Sequence, residues 1–183
     1  LPERVVTALD SKSMKYTSWD RSDRDNPKLL VEEGPEALGT FSSGSADIDG
    51  DFWRLSVDKK LGASATTSDD RVFRTSGDLS KDKKLDVSLD GRTFTIVNEN
   101  SNDWIIDDVN ENFVAQFSGR NNGVRKVNLE FMHEGKIELS TEEIAALSWF
   151  ARLILENRLQ KSSVAMIATL VLASAVAVVA FLL

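Results

Sequence analysis

The stretch KLDVSLDGRTFTIVN, residues 84–98, decides the fold class because it contains the clearest β-hairpin of the chain. Its central Asp-Gly dipeptide favours a tight two-residue turn between antiparallel strands. Folding about this turn places Val87 opposite Phe94 and Leu85 opposite Ile96. Both apolar sets then share one face, as they do when one side of a strand pair packs on a core. The hairpin therefore predicts an antiparallel sheet.

The same period of two recurs from about residue 47 to residue 139. Three further sets of alternating residues are predicted to point inward: Trp53, Leu55 and Val57; Phe113, Ala115 and Phe117; Val127, Leu129 and Phe131. A His133-Glu134-Gly135 loop would pair Phe131 with Ile137 and Leu129 with Leu139. With weaker runs near 61–65 and 71–75, the pattern predicts eight or nine short antiparallel strands in a barrel or a sandwich.

Composition excludes several classes of function. The chain has 183 residues, a formal net charge of −7 and a pI near 4.8, which argues against a nucleic-acid partner. It contains no cysteine, so disulfides, thiolate catalysis and cysteine-ligated metals are excluded within it.

Residues 1–40 differ from the remainder of the chain. They hold all three prolines, mixed charge and few apolar side chains. This composition predicts an extended polar arm, with Trp19 as an anchor on a partner or on the domain itself; a disordered leader is the alternative.

A mostly apolar helix is predicted over residues 141–160. Ser140 and Glu143 have the spacing of a capping box, which marks a helix start. Arg152 and Glu156 lie on one narrow polar stripe, and apolar residues occupy most of the remaining surface. Arg152 at a bilayer centre would cost roughly 2.5–3.5 kcal/mol, so this helix is predicted to be enclosed by the barrel instead. The Arg152–Glu156 pair is either a partly buried salt bridge at the barrel mouth or, with Trp19, an interface for a partner.

The C-terminal segment predicts a transmembrane tail anchor over residues 162–183. Val164 to Leu183 carries no charge and would be about 30 Å long as a helix, which matches a bilayer core. Arg158 and Lys161 precede it as membrane-edge charges, which places the domain on the cytoplasmic side of the plasma membrane. The prediction is a single-pass protein.

Small residues recur every fourth position within this segment. Ala165, Thr169, Ala173 and Ala177 form a stripe that would allow a partner helix to approach closely. Chance in an Ala/Val-rich segment is the alternative explanation.

The order of elements resembles that of the tubby C-terminal-like superfamily, which includes LURP-one-related and phospholipid-scramblase-like proteins. The resemblance extends from about Gly39 to Gln160 and is carried by GSADIDGDFWRL, LDGRTFTIVNENSNDWIIDDVNENFVAQFSG and KVNLEFMHEGKIELSTEEIAALSWFARLILENRL. It implies a barrel domain over residues 41–160 in which the helix threads an antiparallel barrel. The full expected architecture is thus a mainly β chain, a barrel around a C-terminal helix, followed by one transmembrane helix.

No motif predicts a catalytic residue, a metal site or a cofactor. The DIDGD run at residues 47–51 fails the spacing of a calcium loop and predicts a tight turn. His133 is the single histidine and cannot build a multi-histidine site.

These features predict a non-enzymatic, tail-anchored accessory subunit of an integral membrane protein complex, with the lipid bilayer as a second contact. The chain also resembles the single-span accessory subunits of actinobacterial respiratory-chain (cytochrome) complexes, and this resemblance implies such a complex as the leading candidate. A membrane-proximal lipid-binding or scramblase-like module is the alternative. An enzymatic role would depend on His133.

Overall fold

Twelve antiparallel strands form one closed barrel in this computed structural model. The structure describes residues 14–120, 127–132 and 138–182, apart from the side chains of 160–165 and 170–182. Each strand pairs with its neighbours along the chain, and the last strand closes the barrel against the first. The strands are β1 Tyr16–Asp20, β2 Lys28–Val31, β3 Ala37–Phe41, β4 Ser45–Ile48, β5 Asp51–Asp58, β6 Gly62–Thr66, β7 Val72–Ser76, β8 Lys84–Leu89, β9 Arg92–Asn98, β10 Asp103–Asp108, β11 Phe113–Ser118 and β12 Leu129–Phe131.

The β8–β9 hairpin has the predicted register. Val87 lies opposite Phe94 and Leu85 lies opposite Ile96, and all four side chains are buried. The two turn residues between them have φ angles of 50° and 90°, the left-handed conformation that a type I′ turn requires and that the Asp-Gly dipeptide tolerates.

The number of strands differs from the prediction of eight or nine. Strands β1, β2 and β3 lie within residues 16–41, where composition predicted an extended arm. Few apolar residues occur there, but Trp19, Leu29, Leu38 and Phe41 are buried in the core. Their spacing along the chain is irregular because they lie on three different strands and because a register shift interrupts the pairing of β2 with β3.

Phe113 does not point inward as predicted. It is 38% exposed, whereas Val114, Ala115 and Phe117 are buried. The reason is a bulge in β11: between the pairs Ile106–Ala115 and Asp107–Phe113, β11 holds one extra residue, Val114, so Phe113 faces the opposite side of the sheet from Ala115.

Within the described residues there is one helix, α1, which extends from Thr141 to Leu182 and begins at one end of the barrel. The predicted capping box is confirmed: the Ser140 N–H donates to Glu143 Oε2 at 2.8 Å, and the Glu143 N–H donates to Ser140 Oγ at 3.2 Å. Ile144, Leu147 and Phe150 are buried in the common core with the barrel strands. Protein therefore encloses this part of the helix.

The predicted division of the C-terminal region into two helices is wrong. Helix α1 continues without a break through the polar residues 156–163, and its first part lies in the barrel. Across the residues that the structure describes, no helix meets the combined length and apolarity needed to cross a bilayer. This finding overturns the predicted transmembrane helix over 162–183, the tail anchor and the single-pass plasma-membrane location.

Candidate functional site

Helix α1 passes through the barrel from one end to the other. It starts beside the β8–β9 turn, where Arg92 Nη1 contacts both carboxylate oxygens of Glu143 at 2.6 Å. It leaves at the opposite end, here called the exit end. The connections at that end include β1–β2, β3–β4, β5–β6, β7–β8 and β9–β10. The alternation of strand direction brings these connections together, although they are distant in sequence.

Three predicted interface residues meet at the exit end. Arg152 Nε donates to Glu156 Oε1 at 2.7 Å, and the Arg152 guanidinium carbon lies 4.8 Å from the centroid of the Trp19 ring. The Arg152 side chain is 13% exposed and that of Glu156 is 27% exposed. The barrel thus supplies a cation–π partner on one face of the guanidinium and the helix supplies a carboxylate at its edge.

The polar stripe of α1 faces strand β1. Ser148 Oγ donates to the Ile144 carbonyl at 2.7 Å and lies 2.7 Å from Thr17 Oγ1. Because the one hydroxyl proton of Ser148 is used on Ile144, Thr17 is the donor in this pair. Both residues are fully buried. Ser148 and Arg152, both on the polar stripe, therefore contact Thr17 and Trp19 of β1, the strand that closes the barrel.

A cavity of about 230 Å³ lies beside α1 at the exit end. Phe41, Val57, Trp149 and Leu153 form its apolar wall. Its charged lining consists of Arg24 and Asp25 from the β1–β2 connection, with Arg152 and Glu156 from α1, and Ser42 and Ser43 add hydroxyl groups.

Arg158, predicted to lie at a membrane edge, is held by the barrel. Its guanidinium carbon lies 5.0 Å from the centroid of the Trp104 ring, and Nη2 donates to the Asp82 carbonyl. Burial lowers the pKa of Arg158, while Asp78 and Asp82 act in the opposite direction. The predicted membrane edge is lost together with the transmembrane helix, which the described residues do not contain. The side chain of Lys161 lies outside the described residues.

Beyond Leu159, α1 continues past the barrel into an exposed segment. Residues 166–169 are exposed, and Met166 and Ile167 remain 64% and 61% accessible. Of the predicted helix-packing stripe, Thr169 is exposed. The side chains of Ala165, Ala173 and Ala177 lie outside the described residues.

The last candidates from the sequence are the DIDGD run at residues 47–51, a metal site and His133. Asp49 and Gly50 have φ angles of 50° and 83°, and the Gly50 N–H donates to Asp47 Oδ1 at 3.0 Å, which confirms a tight turn. Within residues 14–120, 127–132 and 138–182, no cluster of three or more metal-ligating side chains is found. His133 and its predicted hairpin loop lie outside the described residues.

The cavity itself was not predicted from the sequence. Its contributions from Arg24, Asp25, Ser42 and Ser43 come from connections, where no hydrophobic period marks a residue as facing anything. The turn-rich run RSDRDNP, residues 21–27, signals a connection but not its neighbours.

Comparison of the chain with protein-family models, with curated proteins and with solved structures finds no match. The resemblance to the tubby C-terminal-like superfamily therefore stays a prediction.

Proposed function

We propose that this protein is a non-enzymatic accessory subunit that binds a partner protein through the projecting helix, defined as residues 160–182 of α1. The observation that carries the proposal is the exposure of Met166 and Ile167 on a helix that has already left its own core. An ordinary surface helix turns its apolar side chains toward the domain. In this protein α1 has already passed the barrel when it reaches Met166 and Ile167, so these two side chains have no domain surface to pack against.

The amount of apolar surface on this segment supports an interaction role. Residues 164–183 contain no charged side chain. As a cylinder about 10 Å wide and about 34 Å long, the projecting helix has a lateral surface of roughly 1,000 Å². Exposed apolar patches beyond a few hundred Å² mark interaction sites. Covering half of this surface would contribute about 12 kcal/mol before the costs of association are subtracted.

The sequence of the projecting helix favours a helical partner. The stripe of Ala165, Thr169, Ala173 and Ala177 keeps one side of the backbone free of large side chains. Small residues at this spacing allow two helices to approach closely and to pack along their length. A helix or helical groove of a partner protein is therefore the proposed contact.

A structural role for the barrel supports the accessory assignment. Away from the exit-end cavity, α1 and the side chains packed on it, including Trp53, Phe73 and Phe150, form one buried core with the strands. An acyl chain inside the barrel, as in the lipid-binding alternative, would have to displace this core. The respiratory-chain complex named above stays a prediction about which assembly is bound.

The proposal is tested by recovering the full-length chain from its native cells after chemical cross-linking. Ile167→Lys should reduce the partner recovered about tenfold or more, because it places a charge in the contact. Val109→Lys is the matched control: Val109 is equally exposed but lies in the β10–β11 turn, away from α1's exit. It should leave recovery unchanged.

A second pair of variants tests the packed face. Ala173→Leu should weaken the association, whereas Ala175→Leu, about 200° around the helix, should not. Recovery of the wild-type chain as a free monomer would contradict the proposal. Retention on lipid vesicles with no partner protein, or equal effects of Ile167→Lys and Val109→Lys, would also contradict it.

A further inference from the structure

The cavity at the exit end combines an apolar wall with the guanidinium of Arg152, whose two Nη groups donate to no group among the residues that the structure describes. We propose that it binds a small organic carboxylate, in which the carboxylate is joined to an aromatic ring or a short alkyl chain. This site is separate from the projecting helix, so the inference does not rest on the proposed partner.

The size of the cavity sets the size of the ligand. A volume of about 230 Å³ corresponds to roughly eight water-sized groups at ~30 Å³ each. A benzoate or a hexanoate has about this number of non-hydrogen atoms. A nucleotide or a complete lipid is much too large to be enclosed.

Arg152 supplies the anion-binding group. Its Nε is used by Glu156, but within the described part of the chain its two Nη groups donate no hydrogen bond. The Trp19 ring covers one face of the guanidinium and holds its plane. A planar guanidinium with free donors matches the two oxygens of a carboxylate. Because Arg152 lines the cavity, these donors are available to an anion there.

The apolar wall accepts the remainder of the ligand. Trp149 and Phe41 have their ring centroids 6.3 Å apart at an interplanar angle of 25°, so they present a continuous aromatic surface. Val57 completes the wall although it is 45% exposed. A cavity with an exposed apolar side chain on one side and a cation on the other is the arrangement expected of a site for a ligand with an apolar part and an anionic group.

The charge balance of the lining favours a monoanion. Arg24 and Arg152 are offset by Asp25 and Glu156, so the four ionisable groups sum to zero. Asp25 and Glu156 repel any anion, and they repel a dianion such as a phosphate ester more strongly than a singly charged carboxylate bound at Arg152. Glu156 competes with the ligand for Arg152, which gives the proposal a distinctive test.

The test is isothermal titration calorimetry of benzoate and hexanoate into the full-length chain. Benzyl alcohol and hexanol serve as neutral probes and inorganic phosphate as a polar anion. We expect saturable carboxylate binding with Kd of about 0.1–1 mM, and at least tenfold weaker binding of the alcohols and phosphate. Failure of both carboxylates to saturate, or equal binding of the alcohols, would overturn the proposal.

Variants distinguish binding by Arg152 from support of the fold. Arg152→Gln should weaken carboxylate binding tenfold or more, and Arg152→Lys should recover part of it. Glu156→Gln should strengthen carboxylate binding several-fold, because it removes the carboxylate that competes for Arg152. Unchanged or weaker binding by this variant would refute Arg152 as the anion-binding group. That result is decisive even if Arg152→Gln does not fold. Arg54→Gln, at an exposed pair with Asp70, is the control and should have no effect. Ile167→Lys should also leave carboxylate binding intact.

Discussion

The buried hydroxyl pair between Thr17 and Ser148 allows a double-mutant test of how the barrel closes on its helix. The two oxygens lie 2.7 Å apart, between residues 131 positions apart in the chain. Thr17 is on β1, the strand that completes the barrel, and Ser148 is on α1. Their bond exists only if strand and helix are both correctly placed.

The structure indicates different costs for the two single substitutions. In Thr17→Val, Ser148 still donates to Ile144 and loses one donor to its oxygen, at a cost of about 1 kcal/mol. In Ser148→Ala, the buried Thr17 hydroxyl loses its acceptor, which costs ~1–3 kcal/mol, less about 0.5 kcal/mol for the better helix propensity of alanine. Replacing both partners leaves no unsatisfied group, so the double variant should be destabilised by about 0–1 kcal/mol.

Urea denaturation of the four chains measures this coupling. The double variant should be about 1–2 kcal/mol more stable than the sum of the single effects predicts. Thr75→Val is the matched control, and its effect on the free energy of unfolding should not be destabilising. The Thr75 hydroxyl is buried and has no hydrogen-bond partner in the described part of the chain. That substitution should be neutral or stabilising. Additive effects of Thr17→Val and Ser148→Ala, or a destabilised Thr75→Val, would refute the reasoning.

Two further predictions concern the barrel end where α1 begins. Arg92→Gln leaves the carboxylate of Glu143, whose side chain is 9% exposed, without its cation. This substitution should reduce the free energy of unfolding by ~1–3 kcal/mol in thermal or urea denaturation. Arg54→Gln, the control at an exposed ion pair, should change it by less than ~0.5 kcal/mol. Equal effects of the two would show that Glu143 needs no partner. Burial, and then neighbouring carboxylates, raise the pKa of Asp107 above its ordinary value of 3.8, so the folded chain binds a proton at this carboxyl more readily than the unfolded chain does. The stability that protonation provides is complete below the ordinary pKa and is lost as pH rises through the raised one. Asp107→Asn should therefore be more stable than wild type at pH 7, with a difference that shrinks on acidification; a constant difference from pH 7 to pH 3 would contradict the raised pKa.

The predictions that succeeded depended on neighbours in the chain. The hairpin at residues 84–98 follows from one turn dipeptide and the alternation on each side of it. The start of α1 follows from Ser140 and Glu143, which lie three residues apart and satisfy each other's backbone groups. The enclosure of the helix follows from the width of its apolar surface. Each signal is complete within about fifteen residues.

The predictions that failed depended on distant neighbours. Strand β1 has little hydrophobic period of its own, and its place is set by pairing with β2 and β12 and by Thr17 contacting Ser148. The facing of Phe113 depended on how β11 pairs with β10: between the pairs Ile106–Ala115 and Asp107–Phe113, β11 holds one extra residue, Val114. Arg158 was predicted to lie at a membrane edge because an uncharged run follows it, whereas in the structure it contacts the Trp104 ring and the Asp82 carbonyl of the barrel.

The amino-acid sequence by itself determined antiparallel strands with the hairpin at residues 84–98, an enclosed helix with a defined start, and an uncharged C-terminal segment. Turn chemistry, capping and side-chain periodicity are local, and each constrains the backbone before the chain is compact. Tertiary structure alone decided the twelve-strand closure, the continuity of α1 and the cavity beside Arg152. These depend on which connections meet when strands alternate in direction, and that meeting is selected by the packing of the whole core rather than by any one segment.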